Sequence, residues 1–188
     1  MPRPREFDPE TALDAAMCVF WQRGFVETSY DDLVTETGVS RRGLYTVFGD
    51  KHQLFLATLQ HYRNTVIPHL FGALDDPNIT KDGIRDLFRS FVKLSDSPGG
   101  ARGCYMARTS SDEAISHAEV KSIIDAHWAD LHSRFDVALK RAGYDPERSE
   151  RMAHYCVGVM QGILLMAHAR AGKDRIEPFV EEALKNLT

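Results

Sequence analysis

The sequence predicts an all-α protein, and three observations support this prediction. Apolar residues recur at three- and four-residue spacings along most of the 188 residues, which is the spacing of one helix face. Residues that cap helix N-termini precede these stretches, and glycines follow several of them. The alternation of apolar and polar residues that is typical of strands is not seen in the sequence.

The first three predicted helices are short and closely spaced. Each follows a capping residue and stops at a glycine, and the bounding pairs are Asp8 and Gly24, Ser29 and Gly38, and Ser40 and Gly49. Pro9, directly after Asp8, occupies the first helical position, where a missing N–H costs nothing.

Six longer or later helices are predicted downstream. The fourth begins at a capping box formed by Asp50 and Gln53, and Pro68 should kink or end it. The others are predicted from Thr80 to the SDSPGG run and over residues 104–109, 116–143, 145–172 and 176–187. The helix of residues 145–172 is apolar on nearly every side between Met152 and Ala169, which predicts burial against two partners.

The second and third helices are joined by the short turn Thr37–Ser40 and flanked by the first helix, an arrangement typical of a helix-turn-helix. In that motif the second helix enters the major groove of DNA. The stretch RRGLYTVF, which begins at Arg41, would be this recognition helix. The alternative is an ordinary three-helix bundle with a solvated arginine pair.

Several residues of this stretch have side chains suited to DNA. Arg41 and Arg42 can each donate two hydrogen bonds to the O6 and N7 atoms of a guanine. Gly43, which lacks a side chain, would let the backbone approach a phosphate or base closely, whereas Tyr45 and Lys51 would hold phosphates beside the groove.

Net charge does not by itself indicate nucleic-acid binding. The chain carries a formal charge of −4, and residues 1–52 contain six basic and nine acidic side chains. DNA binding would therefore depend on where the basic side chains lie, since the acidic ones fall mainly in first turns of helices.

Composition argues against several other classes of protein. Cys18, Cys104 and Cys156 are far apart and odd in number, which predicts free thiols instead of a disulfide framework or zinc site. No apolar run reaches the ~18 residues of a membrane span, so a cytoplasmic location and no membrane partner are expected. The sequence shows no metal-ligand cluster, nucleophile elbow or phosphate-binding glycine loop, so we predict no catalytic residue, cofactor or metal.

Within residues 9–59, the stretches WQRGF, ETSYDDL and TGVSRRGLYTVFGDKHQLF resemble the N-terminal domain of the TetR (tetracycline repressor) family of bacterial transcription regulators. The resemblance implies phosphate contacts by Thr28, Ser29, Tyr45 and Lys51. It implies a base-facing surface of Arg41, Arg42, Gly43 and Thr46. Residues 1–52 would form the helix-turn-helix DNA-binding domain, and residues 53–188 a helical domain for effector binding and dimerisation. Arg3 and Arg5 would form either an arm near the minor groove or a solvated tail.

The family resemblance also implies a homodimer in which the last two long helices of each copy pair in a four-helix bundle. Gly158 and Gly162, four residues apart on one helix face, would permit close approach of helices, with Val180 and Leu184 at the same interface. The alternative is that the two glycines only relieve crowding in the core. Two-fold symmetry would place the recognition helices about 34–36 Å apart, on a palindromic operator.

A small-molecule effector that releases a repressor from its operator is the mechanism the resemblance implies. The predicted pocket residues are Cys104, Tyr105, Arg108, His127, Trp128 and Tyr155. Aromatic residues at helical spacing are also typical of a plain core, and a constitutive dimeric DNA-binding protein without effector is the alternative.

Cys104 suggests a further alternative, an electrophile- or redox-responsive repressor. The run RGCYMAR resembles a subset of the family with Arg-Gly-Cys at the start of the sixth helix, some of which respond through that thiol. Arg108 departs from the pattern of that subset. The competing interpretation is that Cys104 is a small apolar residue of the core.

Overall fold

The computed structural model describes residues 7–97 and 99–187, and all the regular secondary structure in these ranges is helical. The α-helices in the described ranges are α1 (Pro9–Arg23), α2 (Tyr30–Thr37), α3 (Arg41–Phe48), α4 (Lys51–Phe71), α5 (Lys81–Ser95), α6 (Tyr105–Thr109), α7 (Ala118–Arg141), α8 (Pro146–His168) and α9 (Lys173–Leu184). Short 3₁₀ turns cover Gly72–Asp75, Gly100–Arg102 and Glu113–Ser116. The all-α prediction is confirmed, and the predicted arm with Arg3 and Arg5 lies outside the described residues.

Side-chain caps set the beginnings of the first three helices where the sequence predicts them. The Asp8 carboxylate accepts hydrogen bonds from the Glu10 and Thr11 N–H groups at 3.3 and 3.2 Å. Ser40 Oγ accepts from the Gly43 N–H at 3.1 Å. These bonds satisfy donors that have no partner inside a helix.

Several predicted boundaries are wrong, and α9, predicted over residues 176–187, spans Lys173–Leu184. Pro68 does not end α4, which runs three residues further to Phe71, and the kink stays a prediction. Asn64, whose carbonyl loses its helical partner, is exposed and can be solvated. Ser116 does not cap α7, because it belongs to the 3₁₀ turn before that helix. α8 ends at His168 and not at Gly172, with Arg170 in a left-handed conformation just beyond it.

The described residues divide into two compact units. The first contains residues up to 66 together with residues 108–124, and the second contains residues 67–107 and 125–187. The division follows packing, and the predicted functional border between residues 52 and 53 stays a prediction.

The core of the first unit is aromatic where α1 meets α4. Phe20 and Phe55 lie 5.1 Å apart between ring centroids, and Trp21 and Tyr62 lie at the same distance, both pairs edge to face. Burial of these rings fixes α1 against α4, and α2 packs on α1 and α3 on α2.

In the second unit, α5 packs against both α8 and α9. Phe88 and Phe91 of α5 are 1% and 2% exposed, and Phe88 stacks on Phe135 of α7 with centroids 5.8 Å apart. α8 packs against two partners, α5 and α9, as predicted, and Leu165 of α8 remains 68% exposed in the single chain. In the described part of the chain, no helix is both long and apolar enough to cross a membrane.

Candidate nucleic-acid interface

α2 and α3 form a helix-turn-helix held by two fully buried leucines. Leu33 of α2 and Leu44 of α3 are each 0% exposed, and Val39 in the turn is 6% exposed. Gly38 adopts the left-handed conformation (φ +66°) that ends α2, and its N–H donates to the Val34 carbonyl. The buried face of α3 is thereby fixed, and its other face is directed outward.

The outward face of α3 contains the residues predicted to meet DNA. Tyr45 is 62% exposed, and Arg41, Arg42 and Thr46 are also exposed. The Thr46 hydroxyl donates to the Arg42 carbonyl at 2.7 Å, so its methyl group and oxygen lone pairs are what it offers to a ligand. This face has two guanidinium groups and an aromatic ring within two helical turns.

Arg41 is held by an aromatic ring of α2. Its guanidinium carbon lies 4.6 Å from the centroid of the Tyr30 ring, in cation–π geometry. The Tyr30 hydroxyl donates to the Gly49 carbonyl at 3.3 Å, which ties the ring to the end of α3. Tyr30 is not among the predicted site residues, because no local spacing links it to Arg41.

Ser29 and Thr28, both predicted phosphate contacts, differ in their accessibility. Ser29 is exposed and forms a capping box with Asp32, whose pKa is lowered mainly by hydrogen bonds from Ser29. Thr28 is 1% exposed, and its hydroxyl donates to the Gly24 carbonyl at 2.6 Å. The Thr28 prediction therefore needs correction, because this hydroxyl is turned inward and already bonded.

The packing of Gly43 gives a different reason for the glycine than close approach of DNA. A Cβ atom on Gly43 would lie 2.8 Å from Val39 Cγ1 and 3.3 Å from both Phe7 Cε1 and Ser40 Oγ. Such contacts are too short for a stiff valine side chain to relieve. Gly43 is thus required by packing inside the motif.

Lys51, at the start of α4, is held against the turn between α1 and α2. Its ammonium lies 4.5 Å from the Phe25 ring centroid and 3.5 Å from the Val26 carbonyl oxygen. Burial lowers the pKa of Lys51, and the nearby Asp112 and Glu27 carboxylates oppose this shift. The Lys51 ammonium and the outward face of α3 thus belong to the same compact unit.

Of the predicted effector-pocket residues in the second unit, Cys104, Tyr105 and His127 are packed as core, whereas Trp128 and Tyr155 are half-buried. Tyr105 and His127 are each 1% exposed, and the His127 ring contacts that of Trp128 with centroids 4.7 Å apart. The Tyr155 hydroxyl donates to the Ala183 carbonyl at 3.0 Å.

Two cavities of the second unit lie elsewhere. One of about 310 Å³ is lined by Ser95, Asp96, Ser97, Ala101, Ala167, Arg170, Gly172 and Ile176. The other, of about 550 Å³, is lined by residues 77–82 and 141–143. Neither is lined by a predicted pocket residue, so the predicted set is not brought together around them.

Arg108 belongs to the first unit, unlike the other predicted pocket residues. Its guanidinium donates to the Gln22 carbonyl, at the end of α1, at 3.1 Å. Arg108 is thus bonded within the first unit, and its assignment to an effector pocket stays a prediction.

Cys18, Cys104 and Cys156 are not joined in disulfides. Cys104 is 5% exposed, and Cys18 is half-buried. Burial raises the pKa of the Cys156 thiol to about 12. Within residues 7–97 and 99–187, no group of three or more His, Cys, Asp or Glu side chains is arranged to hold a metal ion.

The predicted dimer residues fall into two classes. Val180 and Leu184 are 1% and 4% exposed in a single chain, so they belong to its own core and do not offer a surface to a second copy. This part of the prediction is corrected. Gly158 is exposed with open space at its Cβ position, and a Cβ on Gly162 would lie 3.2 Å from the Phe179 ring of the same chain.

Comparison with known proteins agrees with this geometry. Residues 12–58 match the family described as bacterial regulatory proteins, tetR family. The HTH-type transcriptional repressor ComR of Escherichia coli is 34% identical over 180 residues, covering 93% of this chain and 86% of ComR. The uncharacterized HTH-type transcriptional regulator YezE of Bacillus subtilis is 28% identical over 194 residues, covering 100% of both chains.

A similar solved structure is that of a cysteine mutant of the TetR family transcriptional regulator CifR with 26-bp double-strand operator DNA. It is 28% identical, covers 97% of this chain and 98% of its own, and superposes with a TM-score of 0.86.

Proposed function

Because this chain belongs to the tetR family of bacterial regulatory proteins and is therefore a DNA-binding transcriptional regulator, we propose that it is a repressor of a palindromic operator. The single observation that carries the proposal is the outward face of α3, where Arg41, Arg42 and Tyr45 are exposed next to one another. ComR is named a repressor, and CifR was solved on its operator DNA, which supports both parts of the proposal.

The recognition mechanism follows from the chemistry of these side chains. Arg42 is exposed on the first turn of α3, the end of a recognition helix that reaches base edges, and its guanidinium suits a guanine. Arg41 is directed by Tyr30, and Tyr45 on α3 and Lys51 at the start of α4 supply donors for phosphates, whereas the Ser29 hydroxyl already donates to Asp32. Phosphate contacts would supply the affinity and the register, and the arginines the sequence preference.

The protein would act as a homodimer through the exposed faces of α8 and α9. Leu165 of α8 and Phe179 of α9 are 68% and 38% exposed, although both are large and apolar. Gly158 lies on the exposed side of α8 and would let a second copy approach closely. An isologous contact of this face with itself buries the apolar side chains of both copies and makes the operator palindromic.

An effector would release the repressor by favouring a dimer in which the two α3 helices are badly spaced. Binding of DNA and effector would then oppose each other reciprocally. We propose an apolar molecule with a few polar groups as effector. Thermal denaturation across a panel of compounds tests this, since an effector raises the Tm with its concentration.

The proposed regulator works by binding alone, with no catalytic step. It would act in the cytoplasm, where a bacterial regulator meets chromosomal DNA. The constitutive alternative, a dimer without effector, differs in one respect: the operator complex would be insensitive to every small molecule in such a panel.

The experiment that tests the proposed function is selection of bound duplexes from a random library, followed by sequencing. We expect one enriched inverted repeat whose half-sites are spaced by one helical turn or a multiple of it. A reporter placed behind that repeat should be silenced when the protein is expressed. An unenriched pool after several rounds would contradict sequence-specific binding, and a reporter that is activated would contradict repression.

A further inference from the structure

Residues 108–117 are more than fifty residues beyond the helix-turn-helix in sequence but pack in the same compact unit. They contain the end of α6 and the turn that precedes α7. The side chains of this segment contact the turn between α1 and α2, which leads directly to the capping residue of α2.

Two charged side chains of the segment hold the backbone at the end of α1 and in that turn. Arg108 donates to the Gln22 carbonyl at 3.1 Å, and the Phe25 N–H donates to Asp112 Oδ2 at 2.8 Å. Arg108 and Asp112, four residues apart, thus bind the Gln22 carbonyl and the Phe25 N–H, which belong to residues three apart. Both bonds have a charged partner, which makes them stronger than bonds between neutral groups.

Asp112 is itself fixed in this position. Its second carboxylate oxygen accepts from the Ala114 N–H at 2.8 Å and caps the 3₁₀ turn Glu113–Ser116. Gly24 leaves room for the carboxylate, because a Cβ there would lie 2.5 Å from Asp112 Oδ2. Gly24 also has φ +83°, where residues with a side chain are strained.

The other side of the same turn holds Lys51. The Lys51 ammonium lies 4.5 Å from the ring centroid of Phe25, whose backbone N–H donates to Asp112, and 3.5 Å from the Val26 carbonyl oxygen. The Asp112 carboxylate also attracts this ammonium electrostatically. His117 extends the contact, with its ring centroid 4.7 Å from that of His52, the residue after Lys51.

We propose that Arg108 and Asp112 are positioning residues for DNA binding, which fix the turn between α1 and α2 and through it the ammonium of Lys51. The proposal rests on the proposed function in one respect, the phosphate contact of Lys51. Neither residue needs to touch DNA, because the carboxylate and the guanidinium act through the backbone of the turn that contacts Lys51.

The test is a double-mutant cycle on a duplex of random sequence, with affinity measured by fluorescence anisotropy over a range of salt. Lys51→Ala should weaken binding roughly tenfold, as expected for removal of a bond to a charged group, and reduce the salt slope by about 1. Asp112→Ala should produce a similar loss of affinity and a reduced slope. The double variant should bind no more weakly than the weaker single variant.

Asp145→Ala is the matched control, since Asp145 caps α8 in the second unit and is remote in sequence from the site. It should cost comparable stability and leave the DNA affinity unchanged. Asp112→Asn, which keeps one carbonyl oxygen, serves if Asp112→Ala does not fold, and it should show a smaller loss of affinity in the same direction.

Two results would overturn the positioning role while leaving the phosphate contact intact. One is that the affinity losses of Asp112→Ala and Lys51→Ala add in full, and the other is that Asp112→Ala keeps the wild-type affinity and salt slope. A Lys51→Ala variant with wild-type affinity and slope would instead remove the phosphate contact itself, and with it the premise of the proposal.

Discussion

The guanidinium of Arg41 lies over the ring of Tyr30, 4.6 Å from its centroid, so a residue of α2 sets the direction of the first side chain of α3. Tyr30→Leu should weaken operator binding by about 0.5–1 kcal/mol, because Arg41 loses its support and must be ordered on binding. Tyr30→Phe, which keeps the ring and removes only the bond to the Gly49 carbonyl, should stay close to wild type. Anisotropy titrations of both variants check this, and equal affinities of Tyr30→Leu and wild type would contradict it.

Gly43→Ala should destabilise the protein although alanine is the better helix former. The alanine Cβ would lie 2.8 Å from Val39 Cγ1, an approach that costs about 1–3 kcal/mol against a gain of about 1 kcal/mol in helix propensity. Thermal denaturation of the free protein measures the net effect. Val39→Ala is destabilising on its own because Val39 is buried, so the double variant should lose less stability than the sum of the two single losses. Losses that add in full would show that packing against Val39 is not the reason for the glycine.

Leu165→Glu should dissociate the proposed dimer. Leu165 is 68% exposed in one chain, so the substitution leaves the monomer fold intact but places a carboxylate in an apolar contact, at about 2 kcal/mol or more. Sedimentation equilibrium should show a dimer-to-monomer shift. Val137→Glu is the matched control, since Val137 is also exposed, at 40%, but lies on α7. A dimer that survives Leu165→Glu and dissociates with Val137→Glu would move the interface to α7.

Thiol reactivity should follow burial. Iodoacetamide should alkylate half-buried Cys18 first and spare Cys156, whose pKa burial raises from 9.0 to about 12. Because the pKa of Cys156 is higher in the folded than in the unfolded protein, ionisation of this thiol favours unfolding. The free energy of unfolding is therefore unaffected by this group below about pH 9 and falls as the pH rises toward 12. Mass spectrometry of timed digests gives the order of modification.

Cys104, at 5% exposure, should behave as a core residue. An alkylating quinone should affect operator binding equally in the wild type and in Cys104→Ser. Release of DNA from the wild type alone would instead favour the electrophile-responsive alternative.

The local parts of this structure could be predicted from the sequence because their causes are local. Asp8, Ser29 and Ser40 bond to N–H groups two or three residues ahead, so a capping residue followed by an apolar helical pattern is sufficient to locate each helix start. The exposure of Arg42 follows in the same way from the burial of Leu44 on the opposite face of α3, whereas Arg41 is exposed at the first position of this helix.

The parts that could not be predicted depend on contacts between distant residues. Asp112 and Phe25 are 87 residues apart, and nothing near either residue indicates their bond. Thr28 looks like a free hydroxyl in sequence, and only the path of the turn directs it to the Gly24 carbonyl. Val180 and Leu184 belong to an apolar stripe, but a stripe does not tell whether the chain's own helices or a second copy covers it.

Arg41 and Arg42 provide the most direct test of sequence-specific recognition by α3. The measurement is the ratio of affinities for the selected operator and for a scrambled duplex of equal length, at one salt concentration, in the wild type and the Arg41→Ala/Arg42→Ala variant. We expect this ratio to fall by ~1–3 kcal/mol for each bidentate arginine–guanine pair that is removed, with some non-specific binding retained through Lys51 and the other phosphate-binding residues. A double variant that folds and keeps the wild-type ratio would contradict recognition by this face of α3.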